Sequence, residues 1–328
     1  MIKKSEVKYE YIISIENLLI CWKILESNKK YRKDVSIFKI RLMDNILNLF
    51  KSLKDRTYIH DKYEYFKIND PKPRDIHKAT IRDRIVHRLI YQILYSYFDS
   101  KFISDSYSCR KNKGTHKALN KFVIFSRKAS ENHTKQCWVL KCDIRKFFAS
   151  VDHLILIEIL RKYICDDEII KLIEKVVESF CSTSIGKGLP LGNLTSQLFA
   201  NVYMNEFDQF VKHVLRQKYY IRYADDFVIM NQNRDELVNI LPKIGDFLQK
   251  KLKLSLHSNK VVIKTISSGV DFLGWVHFPK HRVLRTTTKQ RMFRRIIDSR
   301  KRPEVIQSYL GLLKNGNTNL LKKKILSL

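Results

Sequence analysis

A chain of 328 residues is long enough for one large domain or two to three small ones, and a hydrophobic fraction of 44% supplies a substantial core. Lys and Arg number 63 against 33 Asp and Glu, and the resulting net charge of +30 points to a polyanionic partner, nucleic acid foremost. Six cysteines without a CxxC pair argue against a cysteine-based zinc site, and the lack of any bilayer-length apolar run argues against a membrane protein and for a cytoplasmic one.

Residues 14–56 read as helices. Ser14 precedes an apolar series at Ile15, Leu18, Leu19 and Trp22, and after a basic break at Lys29 to Lys33 the pattern repeats. These helices are structural or line a nucleic acid, and their sequence does not separate the two roles. An aromatic-rich strand (Tyr63, Tyr65, Phe66, Ile68) then runs into Pro71-Lys72-Pro73-Arg74, and a helix is expected to begin near Ile81. Proline on both sides of Lys72 stiffens a turn that can hold Lys72 and Arg74 out toward phosphates. Arg110, Lys111 and Lys113, just before Gly114, form a basic loop suited to a phosphate backbone.

Trp138 to Asp143 reads as a short apolar strand ending in a carboxylate, followed by the aromatic pair Phe147-Phe148. Asp152 is expected to cap the next helix rather than bind a ligand. Gly188, Pro190 and Gly192 shape a loop ahead of a helix over Asn193 to Tyr203. The stretch YYIRYADDFVIM, Tyr219 to Met230, places Asp225 and Asp226 between two strand-like apolar runs. A tight β-hairpin follows, and two carboxylates that close imply Mg²⁺ or protonation. A helix is expected over Arg234 to Leu252, then a segment containing Lys260, a turn at Leu273-Gly274, and a basic helical end carrying Arg285, Lys289 and Arg294.

The Tyr-Ala-Asp-Asp hairpin resembles the catalytic hairpin of reverse transcriptases, and the chain carries seven such motifs in that family's order. The resemblance, to the group II intron-like bacterial branch, implies an α+β right-hand polymerase with fingers, a palm built on an antiparallel sheet, a helical thumb and a helical N-terminal extension. Domain boundaries are expected at 1–57 for the extension, 58–137 for the fingers, 138–278 for the palm (with a fingers insertion around 160–190) and 279–328 for the thumb. It implies Asp143, Asp225 and Asp226 as catalytic carboxylates, and Asp143, Ile144, Asp225 and Asp226 as the site of two Mg²⁺ ions. Lys72, Arg74, Phe148, Leu191, Gly192, Gln197 and Lys260 fall to the nucleotide, with Phe148 rejecting a 2′-OH. Arg110, Lys111, Lys113, Leu273, Gly274, Arg285, Lys289 and Arg294 fall to nucleic acid.

Most reverse transcriptases carry Gln before the glycine at 192 and Ser-Pro after it, whereas here Leu191 and Ser196-Gln197 stand there. That pattern resembles the enzymes of diversity-generating retroelements, which implies errors at template adenines, a structured retroelement RNA and a small basic accessory protein alongside the template RNA, the RNA/DNA duplex and dNTPs. Three alternatives stand beside it. The first is another bacterial reverse transcriptase, such as a retron, group II intron or phage-defence enzyme. The second is a non-catalytic RNA-binding protein on this fold, against which the intact aspartates argue. The third is a two-metal nuclease, which has no use for Phe148 or for a primer-gripping turn.

Overall fold

The computed structural model describes residues 8–27, 29–69, 73–182 and 184–327. It is a mixed helix-and-strand chain that divides into two compact units, each assembled from three segments.

The first unit opens with four helices, α1 (Tyr9–Ile12), α2 (Ile15–Ser27), α3 (Lys33–Ile40) and α4 (Leu42–Lys54). Ser14 accepts the Asn17 N–H at 3.3 Å and so starts α2 as its position predicts. The periodic stretch after the basic break is two helices rather than one, because the backbone at Arg41 leaves helical geometry. An antiparallel hairpin follows, β1 (Glu64–Ile68) with β2 (Arg74–Lys78), then α5 (Ile81–Asp99). The sequence points to a turn leading straight into the helix, and the strand β2 stays hidden because RDIHK has a single apolar residue and no alternation to betray it. Thr80 caps α5 by accepting the Asp83 N–H.

The second unit begins with α6 (Thr115–Ala129) and β3 (Trp138–Asp143). The chain then returns to the first unit through α7 (Phe147–Ser150), α8 (His153–Arg161), α9 (Asp167–Glu178) and α10 (Leu194–Gln209). Asp152 caps α8 by accepting the Ile155 N–H at 3.2 Å and also takes Lys253 at 2.8 Å, as its place before the helix foretold. The helix expected to end at Tyr203 runs on to Gln209 as α10 and passes into a π-helical turn.

β4 (Tyr219–Tyr223) and β5 (Asp226–Asn231) form the hairpin, α11 (Arg234–Leu252) follows, and β6 (Val262–Thr265) completes a four-stranded antiparallel sheet in the order β4-β5-β3-β6. A second sheet, β7 (Val270–Phe272), β8 (Trp275–His277) and β9 (Arg282–Leu284), precedes α12 (Thr286–Asp298), α13 (Pro303–Leu313) and α14 (Asn319–Leu326). The basic end is thus not purely helical: β9 pairs with β8, and the Arg282-Val-Leu triplet is too short to carry a strand period of its own. Val139, Ile221, Val228 and Met230 of the larger sheet join Phe122 of α6 and Phe272 and Trp275 of the smaller sheet in one buried cluster. No described helix is long and apolar enough to cross a membrane.

Candidate active site

Residues directly opposite on antiparallel strands share a sheet face. Asp143, last in β3, pairs with Asp226, first in β5, and Asp226 pairs on its other side with Tyr223. The same face carries Lys141, Val139, Ile221 and Val228, so an apolar, buried surface ends abruptly in carboxylates. Facing side chains at such positions have Cβ atoms about 4.5–5.5 Å apart. Ala224 and Asp225 alone connect β4 to β5, and Ala224 takes φ +56°, a left-handed geometry that a small residue accepts more readily than a β-branched one. The Ile144 N–H donates to the Asp225 carbonyl at 3.2 Å, which ties the turn to the chain leaving β3.

The electrostatics of this sheet end leave a carboxylate uncompensated. Asp226 Oδ1 is buried without a hydrogen-bond partner among the described residues. Burial pushes the Asp226 carboxyl up to about 7; Lys141 opposes the rise, and Asp143, Asp225 and Asp271 add to it. Lys141 Nζ lies 3.8 Å from Asp226 Oδ2, and Lys260 Nζ lies 3.0 Å from Asp143 Oδ1. An ammonium as exposed as that of Lys260 (44%) gains little from its pair and is readily displaced. Clustered carboxylate oxygens with an orphaned acceptor are the donor set of a hard divalent cation such as Mg²⁺. The side chains are not converged in advance: among the described residues no group of three His, Cys, Asp or Glu is arranged as a metal cage. Ile144 has only its main-chain carbonyl to offer as a ligand.

The residues expected at the nucleotide fall largely in the first unit, where a hydrogen-bonded ladder gathers several of them. The Leu189 N–H donates to the Phe148 carbonyl at 2.7 Å, and the His77 N–H of β2 donates to the Leu191 carbonyl at 3.0 Å. Asn193 locks the same junction, accepting from the Ala79 N–H and donating to the His77 carbonyl. Gly192 sits at φ +108°, and a Cβ there would stand 2.8 Å from Ile76 Cγ2, so only glycine lets the loop lie this close to β2. Arg74 opens β2 on its exposed side, and Phe148 is half-buried beside Phe147. Gln197 is exposed and lines a cavity of about 240 Å³ together with Lys29, Arg84 and Arg88. Lys72 lies outside the described residues. Lys260 belongs instead to the second unit, at Asp143.

The nucleic-acid candidates divide. Leu273 and Gly274 form a two-residue hairpin tip with φ +50° and +84°, the geometry expected of a tight turn. Arg285 is already engaged with Asp271 at 2.8 Å, and Lys113 donates to the Ser104 carbonyl at 2.7 Å. Arg110 donates to the Ser106 carbonyl at 3.1 Å, while Lys111 is exposed. Lys289 and Arg294 lie on α12. Two residues went unnoticed in the sequence, Lys141 and Arg222. Each is a lone cation inside an apolar strand next to an aspartate motif, which is the signal that could have exposed them.

In fold the chain is similar to solved telomerases. Apo telomerase from Candida tropicalis, truncated from its C-terminal domain, superposes with a TM-score of 0.51 at 14% identity over 74% of this chain and 60% of that one. Telomerase from Candida albicans in complex with a TWJ fragment of telomeric RNA gives 0.51 at 10% identity, over 70% and 46%. These likenesses show the class of fold, a reverse-transcriptase-like one. The family model Reverse transcriptase (RNA-dependent DNA polymerase) matches residues 67–277, and the chain belongs to that family. Among curated proteins it is 26% identical to Protein YkfC of Escherichia coli (strain K12), over 69% of this chain and 67% of that protein. It is 23% identical to Group II intron-encoded protein LtrA of Lactococcus lactis subsp. cremoris, over 71% of this chain but only 49% of LtrA, so it spans about half of that relative's length.

Proposed function

We propose that this chain is a working RNA-directed DNA polymerase that copies a template RNA into cDNA. The observation that carries the reading is the cross-strand pair Asp143 and Asp226 with the orphaned, buried Asp226 Oδ1. Asp143, Asp225 and Asp226, with the Ile144 carbonyl, would hold two Mg²⁺ ions, whose chemistry when bound is to activate a primer 3′-OH and neutralise charge on the transferred phosphate and departing pyrophosphate. The sheet face buries Asp226 Oδ1, while Asp143, Asp225 and Asp226 each keep part of their surface open at the sheet end. Lys260 gives up Asp143 and becomes available to the leaving phosphates, where an ammonium can donate a proton. Phe148 excludes a 2′-OH, and Lys72, Arg74, Leu191, Gly192 and Gln197 bind the dNTP. The division into fingers, palm and thumb at 58–137, 138–278 and 279–328 is part of this reading, as are contacts of Arg110, Lys111, Lys113, Leu273, Gly274, Arg285, Lys289 and Arg294 with the RNA/DNA duplex.

Leu191 supports a finer reading, an error-prone enzyme of a diversity-generating retroelement working with a structured RNA and a small basic accessory protein. An aliphatic side chain offers the nucleotide no polar contact, so misaligned pairs are rejected less strongly. The likeness to LtrA favours a second reading, a group II intron-like enzyme. The test is dNTP incorporation on a primed RNA template with Mg²⁺, comparing wild type with Asp225→Ala/Asp226→Ala and sequencing the cDNA. Aspartate-dependent synthesis with errors concentrated at template adenines supports both levels. Faithful synthesis keeps the polymerase and discards the mutagenic reading, and no synthesis even with the native RNA and the accessory protein favours a non-catalytic RNA-binding protein.

A further inference from the structure

Arg222 is the single charged side chain of β4 and is fully buried. Its guanidinium reaches two acceptors on separate segments. Nη1 donates to the Ala224 carbonyl at 3.1 Å, and Nη2 donates to Ser106 Oγ at 3.1 Å. The main chain repeats the link: the Arg222 N–H donates to the Asp105 carbonyl at 3.0 Å, and the Tyr107 N–H donates to the Arg222 carbonyl at 3.0 Å. Residues 105–107 thus lie along β4 with a parallel bridge between Ser106 and Arg222. Thr115 adds a hydroxyl contact to Tyr223 at 3.1 Å, and Arg110 donates to the Ser106 carbonyl.

A buried guanidinium is expensive unless its donors are satisfied, and an aliphatic residue would fill this strand position at no such cost. What the fork provides is geometry. The Ala224 carbonyl lies in a two-residue turn, off the strand ladder, and a rigid planar donor fixes its direction in a way a flexible side chain does not. The same fork grips the segment leading into the basic loop of Arg110, Lys111 and Lys113.

We infer that Arg222 is a positioning residue, a tether that locks the Ala224–Asp225 turn, and with it Asp225 and Asp226, to the 104–114 loop. Nucleic acid bound by that loop and the carboxylates at the turn then move as one body. The catalytic consequence rests on the polymerase reading; the tether itself does not.

The experiment uses the full chain and the variants Arg222→Lys and Ser106→Ala. Arg222→Lys keeps the charge and loses the fork, and Ser106→Ala removes one leg. Hydrogen–deuterium exchange of the Ala224–Phe227 and 104–114 amides is read together with melting temperature, duplex affinity, and kcat and KM for dNTP. In Arg222→Lys both segments lose protection together, kcat falls by about 100-fold as for a misplaced reacting group, and KM changes less than about threefold. Ser106→Ala shows the same pattern at about threefold in kcat, with melting lowered by only about 2–4 °C for the one unsatisfied donor, and it carries the test alone if Arg222→Lys does not fold. Protection unchanged in a folded variant, or kcat loss matching only the loss of folded protein, overturns the inference. Absence of synthesis by the wild type sinks the polymerase reading separately, since coupled loss of protection still reports the tether.

Discussion

Asp143 and Asp226 face each other across β3 and β5 at the last register position the two strands share. Like charges directly opposite are destabilising, so this pair weakens the sheet that bears it. Asp226→Asn is therefore expected to act in opposite directions on stability and activity. In EDTA the variant melts about 1–3 °C higher than wild type, while primer extension in Mg²⁺ falls by at least about 10²–10³-fold. Thermal melts with and without EDTA, paired with extension assays, check it. A variant both less stable and fully active would remove the pair from the chemistry.

Lys260 competes with any cation for Asp143 Oδ1, from 3.0 Å away. Because the ammonium is half-exposed, that competition is worth at most about 1 kcal/mol, or about fivefold in a binding constant. Lys260→Ala is expected to lower the Mg²⁺ concentration for half-maximal activity by about two- to fivefold. With Lys260 in its proposed role as donor to the leaving group, kcat at saturating Mg²⁺ falls by about tenfold or more. A Mg²⁺ titration of both proteins separates the two effects.

Leu191 has its carbonyl tied by His77, so its backbone is placed independently of its side chain. Leu191→Gln should then leave the fold intact and add a polar contact. The misincorporation rate opposite template adenine is expected to drop several-fold, with overall synthesis within about threefold of wild type. Sequencing of cDNA from a defined template measures it, and an unchanged adenine spectrum would discard the mutagenic role of this position.

Two buried histidines set an acid limit. His87 is pushed down to about 3 by burial, helped by His60 and Arg84, and its ring is held by His60 on one side and Thr195 on the other. His277 is likewise lowered to about 3 by burial, with Arg282 adding to it, and lies against Phe122 at 4.2 Å with neither ring nitrogen hydrogen-bonded among the described residues. A histidine in the unfolded chain takes up its proton near pH 6.5, where both native rings stay neutral. Stability is thus complete above about pH 6.5 and falls with decreasing pH at up to about 1.4 kcal/mol per unit for each ring. Urea midpoints between about pH 5 and 6.5 check this; His277→Phe should remove about half of the slope and raise stability at the acid end.

How much of this was legible in the sequence depended on whether a residue's environment is local. β3 with Asp143, the hairpin, the Asp152 cap and α11 could all be read from short patterns, because each is an apolar run bounded by its own stop signal. β2 and β9 could not, since RDIHK carries one apolar residue and no alternation, and RVL is only three residues long. The grouping of Phe148, Leu191 and His77 was invisible because it is made by main-chain bonds between distant segments. Arg222 is the sharpest case. Four letters of sequence place it beside the aspartates, but its partner Ser106 is 116 residues away.

The path of the chain has a consequence for its making. The first unit is built from residues up to Ile103, then Arg145–Gln209, then Phe247–Ser255, and the second from the intervening and final segments. On the ribosome, α1 to α5 must wait for some 150 further residues before the last piece of their unit emerges, while half-finished sheet from the other unit is already exposed. Such long-range closure slows folding and lengthens the time during which open strand edges can mispair. A chain stopped before Ser255 leaves two incomplete cores, and one stopped just after it carries every segment of the first unit beside an unfinished second.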